Sequence, residues 1–227
     1  MSDSSQLAAV ARAAADPARL CERLRCGAPV DDVEVDALYP EWARRLSEQH
    51  WTPLDVCLRA AELLAVDERA TVLDVGAGVG KFCLAGAARS GARFVGVEQR
   101  RRLVDVARDV CGRAGLHNVE LIHDDVMRLD WTRFDGFYLY NPFYEHLASY
   151  LPRIDDEPAL SPQLFAHQVV LACVKLLSAR PGARVVSYHG FGGPMPLGFR
   201  RLSREPAGSD YLELWEKQRE PIVWRAS

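Results

Sequence analysis

The chain has 227 residues, of which 48% are apolar and 26% charged, which is enough to bury one sizeable core under an ordinary polar surface. A net charge of -3 and a pI near 6.1 exclude an overall attraction to a long polyanion and leave only local basic patches. The six cysteines include no C-x-x-C pair and no disulfide framework, and no apolar run reaches the roughly 20 residues that span a bilayer. We therefore expect a cytoplasmic protein with no membrane contact.

Residues 1–50 are rich in alanine and arginine and predict a helical N-terminal extension. Apolar residues recur there at helical spacing, at Leu7, Val10, Ala11 and Ala14. The pattern breaks near Cys26-Gly-Ala-Pro29 and again at Tyr39-Pro40. Because its apolar positions need a partner surface, we expect this extension to cover part of the mouth of a site in the domain that follows. That domain takes up residues 51–227 and opens with a helix, for which Thr52 is the predicted N-cap and Pro53 the first residue.

From Thr71 onward strands alternate with helices. The predicted strands are TVLDV, RFVGVE, NVELIH, FDGFYLY and ARVVSYH, and the helices between them are Lys81–Ser90, Arg100–Ala114 and Gln163–Ala179. The segments FRRLSRE and YLELWEK predict a hairpin that turns across Pro206-Ala-Gly-Ser209. Alternation of this kind predicts an α/β fold, with a doubly wound and mostly parallel sheet followed by a C-terminal antiparallel hairpin.

The stretch LDVGAGVGKF places three glycines directly behind the first strand, and three ligand loops compete for it. A P-loop requires G-x-x-x-x-G-K-[ST], but Val75 stands where the first glycine belongs and Phe82 where the magnesium-binding hydroxyl belongs. The dinucleotide pattern G-x-G-x-x-G fits Gly76 and Gly78, but the third glycine, Gly80, comes one position too early. Neither pattern accounts for the loop.

The third pattern is D-x-G-x-G-x-G, and Asp74, Gly76, Gly78 and Gly80 match all of it. It resembles motif I of the class I S-adenosylmethionine-dependent methyltransferases. An acid at the strand end suits the ammonium group of this cofactor, and backbone without side chains lets a ligand approach closely. The resemblance covers roughly residues 51–217 and implies that the cofactor is S-adenosylmethionine.

Acidic residues also end the next two strands, as the resemblance requires. Glu98 lies 20 residues after Gly78, where a carboxylate accepts hydrogen bonds from both ribose hydroxyls. Asp124 and Asp125 follow the third strand, where the family has an acid that contacts the adenine amino group. Asp125 matches the family position better, and Asp124 is its alternative.

The segment after the fourth strand is where the methyl group and its acceptor are expected to meet. Asn141-Pro142-Phe143-Tyr144 resembles the [DN]-P-P-[YF] motif of methyltransferases that act on amino groups of nucleobases or of glutamine side chains. The Asn oxygen and the Pro carbonyl would accept the two N–H hydrogens, and the aromatic fourth residue would stack on a planar acceptor. Phe143 replaces the second proline of the motif. A plain turn after the strand also explains Asn-Pro.

Other features carry less weight. Glu145 and His146 fit an acid–base pair and a surface helix start equally well, and QRRRL at residues 99–103 is typical of a solvated helix face. The acidic RIDDEP segment at residues 153–158 lies in a loop long enough to serve as a lid or substrate binder. A Gly/Pro-rich loop, HGFGGPMP, replaces the helix that the family has after the fifth strand.

The sequence predicts a methyltransferase whose acceptor it does not identify. A protein, a nucleobase and a small molecule all remain open, as does the oligomeric state. Rival readings are a lysine or small-molecule methyltransferase and a catalytically silent cofactor-binding protein. No His, Asp and Glu residues have the spacing of metal ligands, so we expect no metal.

Overall fold

The computed structural model describes residues 16–147 and 161–219, without the side chains of residues 48 and 49. The expectations for residues 1–15 and for RIDDEP concern residues outside these ranges. Within them, seven strands form one sheet. The strands are β1 Thr71–Val75, β2 Arg93–Glu98, β3 Val119–His123, β4 Gly136–Tyr140, β5 Arg184–Tyr188, β6 Phe199–Ala207 and β7 Asp210–Lys217.

The sheet has the order β3-β2-β1-β4-β5-β7-β6. The first five of these strands are parallel, and β7 is antiparallel to β5 and to β6. The chain reverses its direction of progress across the sheet between β1 and β4, so a crevice opens at the carboxyl ends of these two strands. The predicted α/β class, with its parallel sheet and C-terminal hairpin, is confirmed.

Helices cover both faces of the sheet. The helices are α1 Pro17–Arg25, α2 Asp32–Asp36, α3 Glu41–Arg44, α4 Ser47–His50, α5 Leu54–Leu64, α6 Lys81–Arg89, α7 Arg101–Arg113 and α8 Pro162–Leu177. Alternate residues of β1 point to opposite faces, because side chains alternate along a strand. Val72 packs in one core cluster with α1, α5, α6 and α7, whereas Leu73 packs in a second cluster with α8.

The N-terminal helices are attached to the sheet domain through polar contacts of α2. The Lys81 ammonium at the start of α6 is nearly buried and pairs with Asp32 and, at 2.8 Å, with Asp36. Asp32 also accepts a hydrogen bond of 2.9 Å from the backbone N–H of Leu54, the first residue of α5. A residue of the extension therefore caps a helix of the sheet domain.

This contact corrects the predicted start of α5. Thr52 does not cap the helix, and Pro53 rather than Thr52 occupies the N-cap position. The Thr52 hydroxyl is buried and lies 2.9 Å from the hydroxyl of Tyr138 on β4. A side chain that is distant in sequence has thus replaced the local cap.

Two other boundaries differ from the prediction. Strand β6 continues through Pro206 to Ala207, so the hairpin turns at Gly208 and Ser209 only. Strand β4 begins at Gly136, two residues later than predicted, and a short 3-10 helix, Trp131–Arg133, precedes it. No helix forms between β5 and β6 in the described residues 189–198, as the Gly/Pro-rich sequence predicts.

Candidate active site

The glycine loop connects β1 to α6 in a left-handed backbone conformation. Gly76, Gly78 and Gly80 have φ angles of 79°, 54° and 74°, a region that residues with a Cβ atom seldom adopt. A Cβ atom at Gly80 would lie 3.0 Å from that of Ala107, so this glycine also lets α7 pack closely. A Cβ atom at Gly78 would meet nothing within 4 Å. The loop therefore leaves open space at Gly78 for a ligand.

Asp74 lies at the end of β1 and is only 4% exposed. Burial, reinforced by the nearby charge of Glu98, raises the pKa of Asp74 to about 7, although the Cys83 thiol donates a hydrogen bond to its carboxylate and opposes the shift. A cationic ligand nearby would stabilise the ionised form of this carboxyl group and lower its pKa, because a neighbouring positive charge favours the carboxylate.

Glu98 connects the end of β2 to the glycine loop. Its two carboxylate oxygens accept hydrogen bonds from the backbone N–H groups of Gly78, at 3.1 Å, and of Arg100, at 2.9 Å. Burial raises the pKa of Glu98, and these hydrogen bonds and the Arg100 charge lower it. A carboxylate has about four lone-pair positions, so this one keeps acceptor capacity for a ligand.

The structure distinguishes the two acids after β3. The Asp125 side chain caps a short 3-10 helix by accepting from the N–H of Met127 at 2.9 Å. Asp124 lines the crevice, where its carboxylate accepts from the N–H of Asp125 at 2.8 Å and pairs with Arg128 at 3.3 Å. The preference for Asp125 at this position is thus not supported by its placement, because its carboxylate is used as a helix cap.

The four residues after β4 have different environments. Asn141 and Tyr144 line one part of the crevice, and Pro142 and Phe143 line another. The ring of Phe143 is 5% exposed and belongs to the core cluster under α8, so this residue anchors the loop rather than facing an acceptor. Pro142 faces the glycine loop, since a Cβ atom at Gly76 would lie 3.5 Å from that of Pro142.

Asn141 has an unusual backbone conformation. Its φ angle of 41° is left-handed, which asparagine tolerates better than most residues. Its backbone N–H donates to the carbonyl of Gly190 at 3.0 Å, and its carbonyl accepts from the N–H of Tyr144 at 3.1 Å. The side-chain amide has no hydrogen-bond partner in the part of the chain that the structure describes. The amide is therefore available to a ligand in the crevice.

The crevice consists of two adjoining pockets of about 450 Å³ and about 90 Å³. Gly76, Glu98, Arg100 and Glu145 line both of them. Phe143 and Asp124 line the smaller pocket, whereas Asn141 and residues 46, 50 and 51 line the larger one. A long ligand that passes over Glu98 would occupy both pockets.

Arg100 is a site residue that the sequence interpretation missed. It was expected on a solvated helix face, but its guanidinium is only 8% exposed and pairs with Glu145 at 2.5 Å and with Glu98 at 3.8 Å. Glu145 also lies 3.8 Å from His50. His146 instead contacts Gln168 and the backbone of Ser161, so it does not form an acid–base pair with Glu145.

Leu46, His50 and the adjoining Trp51 line the larger pocket, as does His189, which directly follows β5. No sequence pattern identifies these residues, since each depends on how distant segments pack. Among the described residues, no group of three or more His, Cys, Asp or Glu side chains could hold a metal ion. No helix in those ranges is long and apolar enough to cross a membrane.

The strand order, the glycine loop after β1 and the crevice between β1 and β4 define the class I methyltransferase fold. A solved RNA methyltransferase from Salinibacter ruber, in complex with S-adenosyl-L-homocysteine, superposes with a TM-score of 0.54 at 24% identity. The superposition covers 76% of this chain and 96% of that one.

Residues 72–154 match a family model described as a methyltransferase domain. A probable ribosomal RNA small subunit methyltransferase A of Methanosphaera stadtmanae is 28% identical over 82 residues. A 23S rRNA (uracil(1939)-C(5))-methyltransferase of Salmonella typhi is 41% identical over 83 residues. These matches cover 36% and 35% of this chain but only 29% and 19% of the two relatives. These comparisons confirm the predicted fold, and the match of residues 72–154 to a methyltransferase domain agrees with the predicted S-adenosylmethionine-dependent class.

Proposed function

We propose that this protein binds S-adenosylmethionine across the two pockets and transfers its methyl group to an amino nitrogen at Asn141. The residues present fit this cofactor. The smaller pocket accommodates the adenine beside Asp124, Glu98 accepts from the ribose hydroxyls, and the open space at Gly78 receives the chain that carries the sulfonium. Asp74 is not among the residues that line the two pockets, so its carboxylate, whose ionised form a cation would stabilise, would act on the ammonium group from behind the pocket wall, directly or through water.

Asn141 carries the proposal for the acceptor. Three observations support it: Asn141 lines the larger pocket, its backbone is left-handed, and its side-chain amide forms no hydrogen bond within the described residues. The cofactor supplies an activated methyl group, so the protein has mainly to hold the nucleophile in line. The Asn141 side-chain oxygen and the Pro142 carbonyl accept the two N–H hydrogens and thereby aim the nitrogen lone pair. Tyr144 offers an aromatic face to a planar acceptor.

RNA is the first acceptor to test, because both curated relatives and the Salinibacter ruber protein are named as methyltransferases of RNA. The name of the Salmonella relative specifies a carbon atom of uracil. The proposal differs from that case, since it rests on Asn141 and on a nitrogen nucleophile. Protein lysine and small molecules are the alternative acceptors.

The experiment has two stages. Calorimetry should show tighter binding of S-adenosylhomocysteine than of NAD, and the reverse order would refute the cofactor assignment. The protein is then incubated with methyl-labelled S-adenosylmethionine and a cell extract, which is fractionated into RNA, DNA, protein and small molecules. We expect label in one fraction with the wild-type protein and much less with Asn141→Gly. Binding of S-adenosylhomocysteine without label in any fraction would show a catalytically silent protein.

We also propose that residues 1–50 form an extension whose last turns complete the larger pocket. Leu46 and His50 line this pocket, and the Lys81 ion pairs hold the extension against the sheet domain.

A further inference from the structure

One permanently charged cation lines both pockets of the crevice. Arg100 is the one arginine or lysine among the described residues that line either pocket, and its side chain is only 8% exposed. Its backbone occupies the N-cap position of α7, where its carbonyl accepts from the N–H groups of Leu103 and Val104 at 3.1 and 3.2 Å. Its backbone N–H donates to the Glu98 carboxylate. The Arg100 backbone is therefore fixed at the junction of β2 and α7.

The Arg100 guanidinium connects two segments that the sheet keeps apart. Glu98 ends β2, Glu145 follows β4, and β1 lies between these two strands in the sheet. The guanidinium lies 3.8 Å from Glu98 Oε1 and 2.5 Å from Glu145 Oε2. These ion pairs, called the arginine bridge below, span the carboxyl end of β1, where Gly76 begins the glycine loop. All four residues line both pockets, so a ligand that occupies both must pass the arginine bridge.

The charge of Arg100 supports the ionised form of Glu98. Glu98 is only 7% exposed, and a carboxylate that is removed from water needs a paired charge or hydrogen bonds to stay ionised. Burial raises the pKa of Glu98, whereas the backbone N–H of Arg100 and then its charge lower it. Hydrogen bonds to an ionised acceptor are roughly twice as strong as those to a neutral one. Removal of the guanidinium would therefore weaken Glu98 as an acceptor for the ribose hydroxyls.

Glu145 connects the arginine bridge to the loop that carries Asn141. Tyr144–His146 form a single 3-10 turn, and the Asn141 carbonyl accepts from the N–H of Tyr144 at 3.1 Å. A displacement of Glu145 would therefore move Asn141 through one short turn. Because a guanidinium is planar and carries five N–H donors, it can hold two carboxylates in a fixed arrangement, whereas an ammonium is a compact point charge.

We propose that Arg100 is a positioning residue for both partners of the methyl transfer. It keeps Glu98 charged and directed at the ribose of the cofactor, and it holds Glu145 so that the Asn141 loop lies against the bound cofactor. This inference rests on the proposed function, which assigns the ribose to Glu98 and the acceptor to Asn141. Arg100 acts through the two carboxylates and takes no part in the bonds that form and break.

A double-mutant cycle, measured by calorimetry with S-adenosylhomocysteine, tests the cofactor half of the proposal. Arg100→Gln should weaken binding roughly tenfold or more, because Glu98 loses its counter-charge. In a Glu98→Ala background the same substitution should change the affinity by less than about twofold, because the carboxylate through which Arg100 acts is gone. An equal loss in both backgrounds would show that Arg100 supports the fold or contacts the ligand itself, and would overturn the proposal.

Single-turnover methyl transfer to the extract fraction that accepts the label tests the acceptor half. Glu145→Gln should keep S-adenosylhomocysteine affinity within about threefold, since Arg100 still faces Glu98, and should transfer at least about tenfold more slowly, because the Asn141 loop is misplaced. Arg100→Lys keeps a charge beside Glu98 but not the planar fork. It should recover most of the affinity that Arg100→Gln loses and transfer as slowly as Glu145→Gln.

Arg101→Gln is the matched control, because it removes the same charge from the next residue. Arg101 is 68% exposed and pairs with Asp105 on the surface of α7, so this variant should keep the wild-type affinity and rate. If Arg100→Gln does not fold, Arg100→Lys and Glu145→Gln decide in its place. Wild-type transfer rates in both of these variants would overturn the positioning role alone. Failure of the wild-type protein to bind S-adenosylhomocysteine would overturn the proposed function, and the role of Arg100 with it.

Discussion

Removal of the Asn141 side chain should separate a catalytic role from a structural one. Asn141→Gly deletes the amide at a position where glycine accepts the φ of 41° without strain. If the amide orients the nucleophile, the single-turnover rate should fall roughly tenfold to a thousandfold, because one or two hydrogen bonds are lost from the transition state. S-adenosylhomocysteine affinity should stay nearly unchanged, since the proposal assigns the cofactor contacts to other residues. The melting temperature should also change little.

Asn141→Ala also lowers the stability of the fold, through backbone strain and independently of catalysis. A left-handed residue with a Cβ atom costs about 1–2 kcal/mol, which lowers the melting temperature by roughly 2–8 °C for a chain of this size. Asn141→Asp keeps an acceptor oxygen and tolerates the backbone, so its rate loss should be the mildest of the three.

Gly115→Ala is the matched control for this strain. Gly115 has a φ of 68°, and a Cβ atom there would meet nothing within 4 Å. It lies between α7 and the start of β3, and therefore at the amino ends of the strands, whereas the crevice lies at their carboxyl ends. The control should lower the melting temperature as Asn141→Ala does and keep the wild-type rate. The reasoning is refuted if Asn141→Gly and Asn141→Ala both transfer methyl at the wild-type rate, because Asn141 would then only shape the turn after β4.

Three further predictions concern the cofactor pocket and the attachment of the extension. Glu98→Ala should weaken S-adenosylhomocysteine binding roughly tenfold to a hundredfold in calorimetry, since hydrogen bonds to a charged group are lost; unchanged affinity would remove Glu98 from the site. S-adenosylmethionine affinity should rise up to about tenfold per pH unit from pH 5.5 to 7 and then level off. The reason is that Asp74, with a pKa raised to about 7, must ionise to attract the ammonium group. Asp74→Asn should give a flat pH profile, and a flat profile in the wild-type protein would contradict this role. In urea unfolding, the double change Asp32→Asn and Asp36→Asn should lower the free energy of unfolding by about 3–5 kcal/mol, because it leaves the buried Lys81 ammonium unpaired. Lys81→Met should lower it by less. Equal losses in the two variants would argue against the ion pair as the attachment.

The parts of the fold that depend on local pattern are predicted well by the sequence. Strand β1 and the loop behind it follow from an apolar run and three glycines, and the structure adds that all three glycines have a left-handed backbone. The acids Asp74 and Glu98 lie at the expected strand ends. These features are predictable because a few adjacent residues determine each of them.

Features that depend on competition between nearby groups are not predictable in this way. Asp124 and Asp125 are adjacent and chemically equal, and only the cap at Met127 decides which carboxylate faces the crevice. Thr52 and Pro53 form a convincing helix start, yet Asp32 supplies the hydrogen bond from 22 residues away. In each case a tertiary contact overrides a valid local preference.

The side of the crevice proposed to bind the methyl acceptor depends even more on distant segments. Arg100 enters the crevice because Glu98 and Glu145 flank it, although it begins a run of three arginines that reads as a solvated face. His189 meets Asp210 only because β7 folds back against β5. No helix forms in the described residues 189–198 between β5 and β6, as the Gly/Pro-rich sequence predicts.

The most direct test of the account identifies the atom that receives the methyl group. The labelled fraction is digested to its monomers, and mass spectrometry with reference compounds locates the methyl group on each product. The account predicts a methyl group on an amino nitrogen, formed by the wild-type protein and strongly reduced with Asn141→Gly. A methyl group on carbon or oxygen, formed equally by both proteins, would contradict it.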